Sequence, residues 1–377
     1  MGIDYDSDLV KHFIRTDGWL PVCRRRLKAI RNEQPRRLRY FTFCAVGAVD
    51  VLMLDVANVV KRSAANKFNT VVFFGRDGES IVQTEKSIPG AIGFPGNFIK
   101  VVLLADPDET LLEDGDPLES PENEPDEADV RRTQVNLSIK QGFIRQFPFD
   151  VINLDLEEFA FKPKDELPGK MVNALRKVFK WQQRPLNRDK GPAMPIDEFS
   201  LMFTTQIGPP NITADYLDML ETILANNLEQ DSRLRPLLRD RSGIDDLAQL
   251  KDQQFELFFT LAMPKIIAGI LLEQDWYVEP KAGITIYQYN RDSKDGPYQM
   301  LNVVMDVKRQ NPPLEKRAPT GSDNRTPEAK AAYKEVAFKL FRDNEKRVEE
   351  ANLDASPLRK SLERIKSRRK KYCPDYA

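Results

Sequence analysis

The stretch Tyr40-Phe41-Thr42-Phe43-Cys44-Ala45-Val46-Gly47-Ala48-Val49-Asp50-Val51-Leu52-Met53-Leu54 changes character half way along. Its first six residues are an aromatic and β-branched run that suits a buried strand, whereas residues 48–54 suit a helix. Downstream the same unit returns. Residues 70–74 read as a second strand that ends in Gly75-Arg76-Asp77-Gly78-Glu79-Ser80 and leads into helical residues 81–87, and apolar pieces follow at 91–94 and 98–104. A helix over 130–147 precedes a strong strand at 149–155. A strand at 199–205 precedes Gly208-Pro209-Pro210 and a helix that starts near Thr213 and carries Tyr216, Leu217, Leu220 and Ile223. Parallel neighbours need a crossover, so strands alternating with helices predict a mainly parallel sheet.

The end of this core breaks the alternation. A long apolar helix from about Phe255 to Leu272, containing Pro264, leads into Gly283-Ile284-Thr285-Ile286-Tyr287-Gln288-Tyr289. A polar loop at 290–297 then turns the chain into Met300-Leu301-Asn302-Val303-Val304-Met305-Asp306-Val307, which reads as a hairpin adding antiparallel strands at one side. Four segments are expected: a basic helical lead-in (1–39), the α/β domain (40–310) with an acidic, disordered insertion at 106–129, a linker (311–325), and a basic helical extension (326–377). Thr326-Pro327-Glu328 starts that extension with a hydroxyl at the cap and proline at the first helical position. Tyr333, Val336, Ala337, Leu340 and Phe341 then form an apolar stripe.

Composition narrows the chemistry. With 377 residues, 41% hydrophobic and 31% charged, the chain can bury a sizeable core. No run approaches the ~18–20 uninterrupted apolar residues of a membrane helix, and the start is acidic where a signal peptide is basic, so a cytoplasmic location without membrane contact is expected. Cys23, Cys44 and Cys373 are odd in number and far apart, which offers neither a disulfide framework nor a metal knuckle. His12 is the single histidine, which argues against a His-based triad or a His-rich metal site, and no metal is expected. The net charge of −1 hides segregation: Arg24-Arg25-Arg26, Lys28, Arg31, Arg36, Arg37 and Arg39 near one end, Arg359 to Lys371 near the other, and a dozen acidic residues with no Lys or Arg across 106–129. Basic ends suit a polyanionic partner; solvated helix faces account for them equally well.

Over about residues 39–309 the order of elements resembles the class I S-adenosylmethionine-dependent methyltransferases, in which a parallel sheet ends in a helix and a reversed hairpin strand. The resemblance implies an α/β, Rossmann-like fold whose mainly parallel sheet carries a C-terminal antiparallel hairpin, flanked here by helical N- and C-terminal extensions. It also implies S-adenosylmethionine as cofactor. In that family the turn after the first strand is glycine-rich; the matching stretch is Cys44-Ala45-Val46-Gly47-Ala48, which makes Ala45 and Gly47 cofactor-binding candidates. A carboxylate past the second strand holds the ribose hydroxyls, and Asp77 and Glu79 are the candidates; a solvent-exposed turn rich in Asp and Gly is the plainer reading. At the tip of the fourth strand, Asn153, Asp155 and Glu157 are the catalytic candidates by resemblance, and polar residues there also serve as helix caps. The prolines that follow this position in amine-methylating members are replaced by Leu156-Glu157-Glu158-Phe159.

Three further features were weighed. Asp306-Val307-Lys308 matches the acid-x-Lys half of a metal-dependent nuclease motif, although the tripeptide is common. Cys44 ends the first strand as a thiol nucleophile or a small buried side chain. Leu358, Leu362 and Ile365 lie at helical spacing, so a C-terminal helix can dock by that stripe and direct Arg364, Lys366, Arg368, Arg369, Lys370 and Lys371 toward nucleic acid, or toward a protein partner. Two functions therefore stand open. One is a divergent methyltransferase-like protein acting on or associated with nucleic acid, in a prokaryotic defence or restriction setting. The other is a catalytically silent Rossmann module that binds or scaffolds within a complex, with a protein partner or a second copy of itself.

Overall fold

The computed structural model describes residues 8–33, 36–45, 47–65, 67–104, 127–156, 170–185, 195–207, 214–244, 246–289, 298–311, 325–343 and 345–372. Most of the acidic insertion, the interior of the linker and the loop at 290–297 lie outside these. The chain begins with α1 (Leu9–Phe13), a π-helical turn (Ile14–Trp19) and α2 (Leu20–Glu33). The first βαβ units follow as β1 (Tyr40–Phe43), α3 (Val49–Val56), β2 (Val71–Gly75), α4 (Gly78–Ser87), β3 (Ile92–Pro95) and α5 (Phe98–Leu103). Then come α6 (Glu127–Ile144), β4 (Val151–Asp155), α7 (Lys170–Trp181), β5 (Glu198–Gln206), α8 (Ala214–Gln230), α9 (Leu234–Ser242), α10 (Leu247–Gln253) and α11 (Phe255–Glu273). The chain closes with β6 (Trp276–Tyr289), β7 (Tyr298–Arg309), α12 (Pro327–Asp343), β8 (Glu345–Val348), a 3-10 turn at 350–352 and α13 (Ala355–Tyr372).

Among the described residues eight strands form one sheet in the order β3-β2-β1-β4-β5-β7-β6-β8. All neighbours are parallel except the pairs made by β7 with β5 and β6. The first five strands keep the doubly wound order, and the chain reverses direction across the sheet between β1 and β4. The fold is thus α/β and Rossmann-like, with the antiparallel hairpin that the sequence predicts. β7 can lie between β5 and β6 because the β6–β7 hairpin inserts its second strand, whose long register runs from Glu198↔Lys308 to Gln206↔Met300.

Two helical layers cover the sheet. One face packs Phe41, Phe74 and Phe149 against α5, α6, α7, α8 and α11, with Phe143 of α6 among them. Phe41 alone makes ring contacts with five other phenylalanines, so this half of the core is aromatic where βαβ cores are usually aliphatic. α11 continues through Pro264 and is the one helix among the described residues long and apolar enough to cross a membrane; 78% of its apolar window is buried inside the protein. The helix from Glu127 starts earlier than the sequence pattern suggests, inside the acidic stretch.

The other face is covered by α3, α4, α13 and the N-terminal helices. Val10, Ile14, Trp19, Val22, Cys23, Leu27 and Ile30 of the lead-in are buried among Met202, Tyr287, Met300 and Val304 of β5, β6 and β7. The crossover helices α3 and α4 serve β1, β2 and β3, so the apolar half of this face at β5–β7–β6 needs another cover. Each large side chain buried there contributes roughly 1.5–3 kcal/mol. α13 completes the layer with Leu358, Leu362 and Ile365, all buried as their spacing predicts. α12 opens as expected, its Ala329 amide donating to the Thr326 hydroxyl at 3.2 Å.

Candidate functional site

In an open α/β sheet the ligand crevice lies outside the carboxyl ends of the strands at the point where strand order reverses, here the tips of β1 and β4. The turn leaving β1 exposes Ala45 and buries Gly47. The residue in the left-handed conformation is the next one, Ala48 at φ 48°, which is fully buried. A Cβ in that region costs on the order of 1 kcal/mol, so the surrounding packing holds the turn. Asp77 sits at the end of β2 and caps α4: its carboxylate accepts from the Ser80 amide at 2.8 Å, and the Ser80 hydroxyl is bonded in return. These hydrogen bonds hold the Asp77 carboxyl below its ordinary range. Glu79 is exposed in the first turn of the same helix. The Asp77 carboxylate is thus engaged as the N-cap of α4, a role the sequence reading of this turn did not name. Glu157 lies outside the described residues.

Asn153 and Asp155 belong to a polar patch built by strand parity. On β1, β4, β5 and β7 alternate residues face the second helical layer, and near the tips these are Thr42, Asn153, Asp155, Thr204 and Asn302 instead of apolar groups. The register aligns Asp155 with Thr204, Thr204 with Asn302, and Asn302 with Thr285, one row across four strands. The Asn302 amide donates to the Thr204 hydroxyl at 2.8 Å. Asn153, fully buried, donates to the Tyr40 hydroxyl at 3.0 Å, and its carbonyl oxygen meets no hydrogen-bond partner among the described residues. Tyr40 and Thr42 in turn donate to the Asp50 carboxylate at 3.2 and 2.9 Å, and the Cys44 thiol approaches it at 3.8 Å. Burial pushes the Asp50 carboxyl up, while Arg15 and the Thr42 bond pull it back. Burial also raises Tyr40 well above the usual phenol range. Cys44 is therefore a buried neighbour of a carboxylate.

The N-terminal helices close over this row. The Lys11 ammonium contacts the Asp155 carboxylate at 2.5 Å and the Tyr287 hydroxyl at 3.4 Å, and lies 5.4 Å from the centre of the Trp19 ring. Gly18 of the π-turn passes over Asn302, where a Cβ would stand 3.8 Å from the side-chain oxygen. A π-helical turn inserts one residue into a helix and redirects the side chains that follow, a feature common at functional positions. His12, Arg15 and Trp19 are buried with ring or guanidinium nitrogens that meet no hydrogen-bond partner among the described residues, and burial beside Arg15 lowers His12 to about 4. Lys11, Arg15, Asp50, Thr204 and Asn302 were not singled out from sequence. The signal for two of them, Thr204 and Asn302, was present: polar residues at one parity of otherwise apolar strands.

Asp306 and Lys308 lie elsewhere on β7 and are taken up by ion pairs. Asp306 accepts from Arg25 at 2.7 Å and from Ser200 at 2.7 Å, and Lys308 reaches Glu279 at 2.5 Å. Among the described residues no group of three His, Cys, Asp or Glu side chains could hold a metal ion. In the C-terminal helix, Arg364, Lys366, Lys370 and Lys371 are exposed; Arg368 pairs with Asp55 at 3.2 Å, and Arg369 is half-buried.

Fold and site together define a Rossmann-type α/β protein whose strand-tip crevice is covered by its own N-terminal helices. A family model described as PP_RS20740-like matches residues 135–368, more than half of the chain, and the chain belongs to that family. The match runs from α6 into α13 and so includes β4, β5 and the antiparallel hairpin. No curated protein matches the chain.

Proposed function

We propose that this chain is a catalytically silent Rossmann-type binding module, the working partner of a larger assembly and not a methyltransferase. The observation that carries this reading is the Lys11–Asp155 contact of 2.5 Å, which fastens the N-terminal helix over the tip of β4. The residues that resemblance offers to S-adenosylmethionine do not fit that group. Ala48 puts a Cβ where the family's turn brings bare backbone, and Asp77 is spent on capping α4. The Asn153 amide is bonded to Tyr40, and Asp155 is neutralised by Lys11. Opening the crevice requires breaking an ion pair whose side chains are 6% and 13% exposed, at a cost of about 3–5 kcal/mol if one partner stays buried.

Isothermal titration of the protein with S-adenosylmethionine and with S-adenosylhomocysteine tests the proposal. No heat of binding is expected from either. Saturable binding that weakens on Asp77→Ala or Asn153→Ala would overturn it in favour of the second reading, a divergent methyltransferase associated with nucleic acid. One specific observation favours that alternative: the sheet carries the reversed hairpin strand that the resemblance implies, β7 set between β5 and β6, with Asn153 at the switch point. A prokaryotic defence or restriction complex remains the proposed setting for either reading, and a protein partner or second copy its proposed company.

A further inference from the structure

The two basic runs lie far apart in sequence, yet the fold brings them to one end of one layer. α3 leaves the tip of β1 and ends at Val56. Ala57, Asn58 and Val59, which follow it, line a groove of about 350 Å3 with Arg24, Leu27, Lys28, Arg31 and Asn32 of α2. Arg24, Lys28 and Arg31 stand at i, i+4 and i+7, so they share one helix face, and all three are exposed. From the other side Arg368 of α13 reaches Asp55 in the last turn of α3. The run 368–371 therefore begins at the same end of α3 that the groove borders. Leu358, Leu362 and Ile365 fix the roll of α13 by burial, which leaves Arg364, Lys370 and Lys371 exposed. Asp55 is the acidic group between the two runs, and Arg62 and Arg368 both contact it, so its charge is already offset.

We propose that α2 and the last turns of α13 form a single phosphate-binding surface for a nucleic-acid duplex, centred on the end of α3. This deepens the binding-module reading, resting on it in one respect: the surface and not the crevice is the working part. Helical faces carrying cations toward the backbone, with no side chain inserted into a groove, give phosphate contacts that position without reading sequence. Counterion release then makes affinity fall steeply with salt, by about 0.9 in the log–log slope for each phosphate neutralised on B-form DNA. Truncating the chain before α13 would uncover the core that Leu358, Leu362 and Ile365 seal, so point substitutions of exposed cations are the suitable perturbation.

The test is fluorescence anisotropy with a labelled 20-base-pair DNA of arbitrary sequence, titrated with full-length protein across sodium chloride concentrations. Two triple variants are compared with the wild type: Arg24→Ala/Lys28→Ala/Arg31→Ala and Arg364→Ala/Lys370→Ala/Lys371→Ala. A control, Arg235→Ala/Lys334→Ala, removes exposed cations from α9 and α12 of the other layer. Each triple variant is expected to reduce the slope by about 2–3, the value for three phosphates, and the control to leave it unchanged. Unaltered melting curves show that each variant is folded. Four results overturn the proposal: no binding by the wild type at 50 mM salt, a slope that responds to only one of the two triples, a slope that responds equally to the control, or a pulled-down protein partner lost in the triples while DNA binding persists. Calorimetric binding of S-adenosylmethionine would sink the silent-module reading and leave this surface standing, so the two failures are distinguishable.

Discussion

Replacing Lys11 by methionine tests whether the N-terminal helices are fastened by charge or only by apolar burial. The substitution keeps the length and packing of the stem and removes the ammonium, leaving Asp155 13% exposed and close enough to the buried Asp50 to repel it. Removing one partner of such a pair costs about 3–5 kcal/mol. At 1.36 kcal/mol per tenfold, the equilibrium for local opening of residues 9–19 should rise on the order of 100- to 5000-fold. Hydrogen–deuterium exchange at pH 7 reads this directly, because amides in α1 and the π-turn exchange through that opening while amides in β4 and β5 report the global barrier. Asp155→Asn should loosen the segment as well. The double variant Lys11→Met/Asp155→Leu should recover much of the protection, since an apolar pair of similar volume often replaces a buried ion pair without loss. Unchanged exchange in both single variants would refute the clasp and leave the apolar face of the lead-in as its sole anchor. A double variant as loose as the sum of the singles would show that the two residues are not coupled.

Three further outcomes follow from the same coordinates. His12 is buried and held to about 4, below its unfolded value of 6.5, so the unfolded chain takes up a proton that the folded chain refuses; stability should fall between pH 6.5 and 4 by on the order of 3 kcal/mol, and urea midpoints of His12→Leu should lack that loss. Lys265 on α11 is buried against Tyr333, with burial lowering it from 10.5 to about 7. Stability should therefore rise between pH 7 and 9.5 by about 3 kcal/mol, and Lys265→Met should flatten that rise; a wild-type protein indifferent to pH in this window would contradict it. Gly93 on β3 has no room for a side chain, because a Cβ would stand 2.7 Å from both Ile81 and the Phe73 ring, so Gly93→Ala should cost about 1–3 kcal/mol in urea unfolding.

Much of the architecture is written locally. The aromatic run 40–45 and the apolar strands at 149–155 and 199–205 carry their period and their boundaries in consecutive residues and become strands within a few residues of expectation, and the hairpin at 283–307 forms too, although β6 begins earlier, at Trp276. The same holds for the Thr326 cap and the buried stripe of α13, since capping and helical spacing act within a few residues. Short helices such as α9 and α10 carry a weaker periodic signal, because nine and seven residues hold only about two turns.

What the sequence left open was decided at long range. Asp155 reads as a catalytic group until Lys11, 144 residues away, is brought against it. The lead-in reads as a basic appendage because its charges are consecutive, while its burial depends on the bare half of a sheet face that exists only when β5, β7 and β6 are side by side. The basic runs of α2 and α13 become neighbours for the same reason: sequence sets the spacing of charges along each helix, and only the packing of both helices around α3 sets the distance between them.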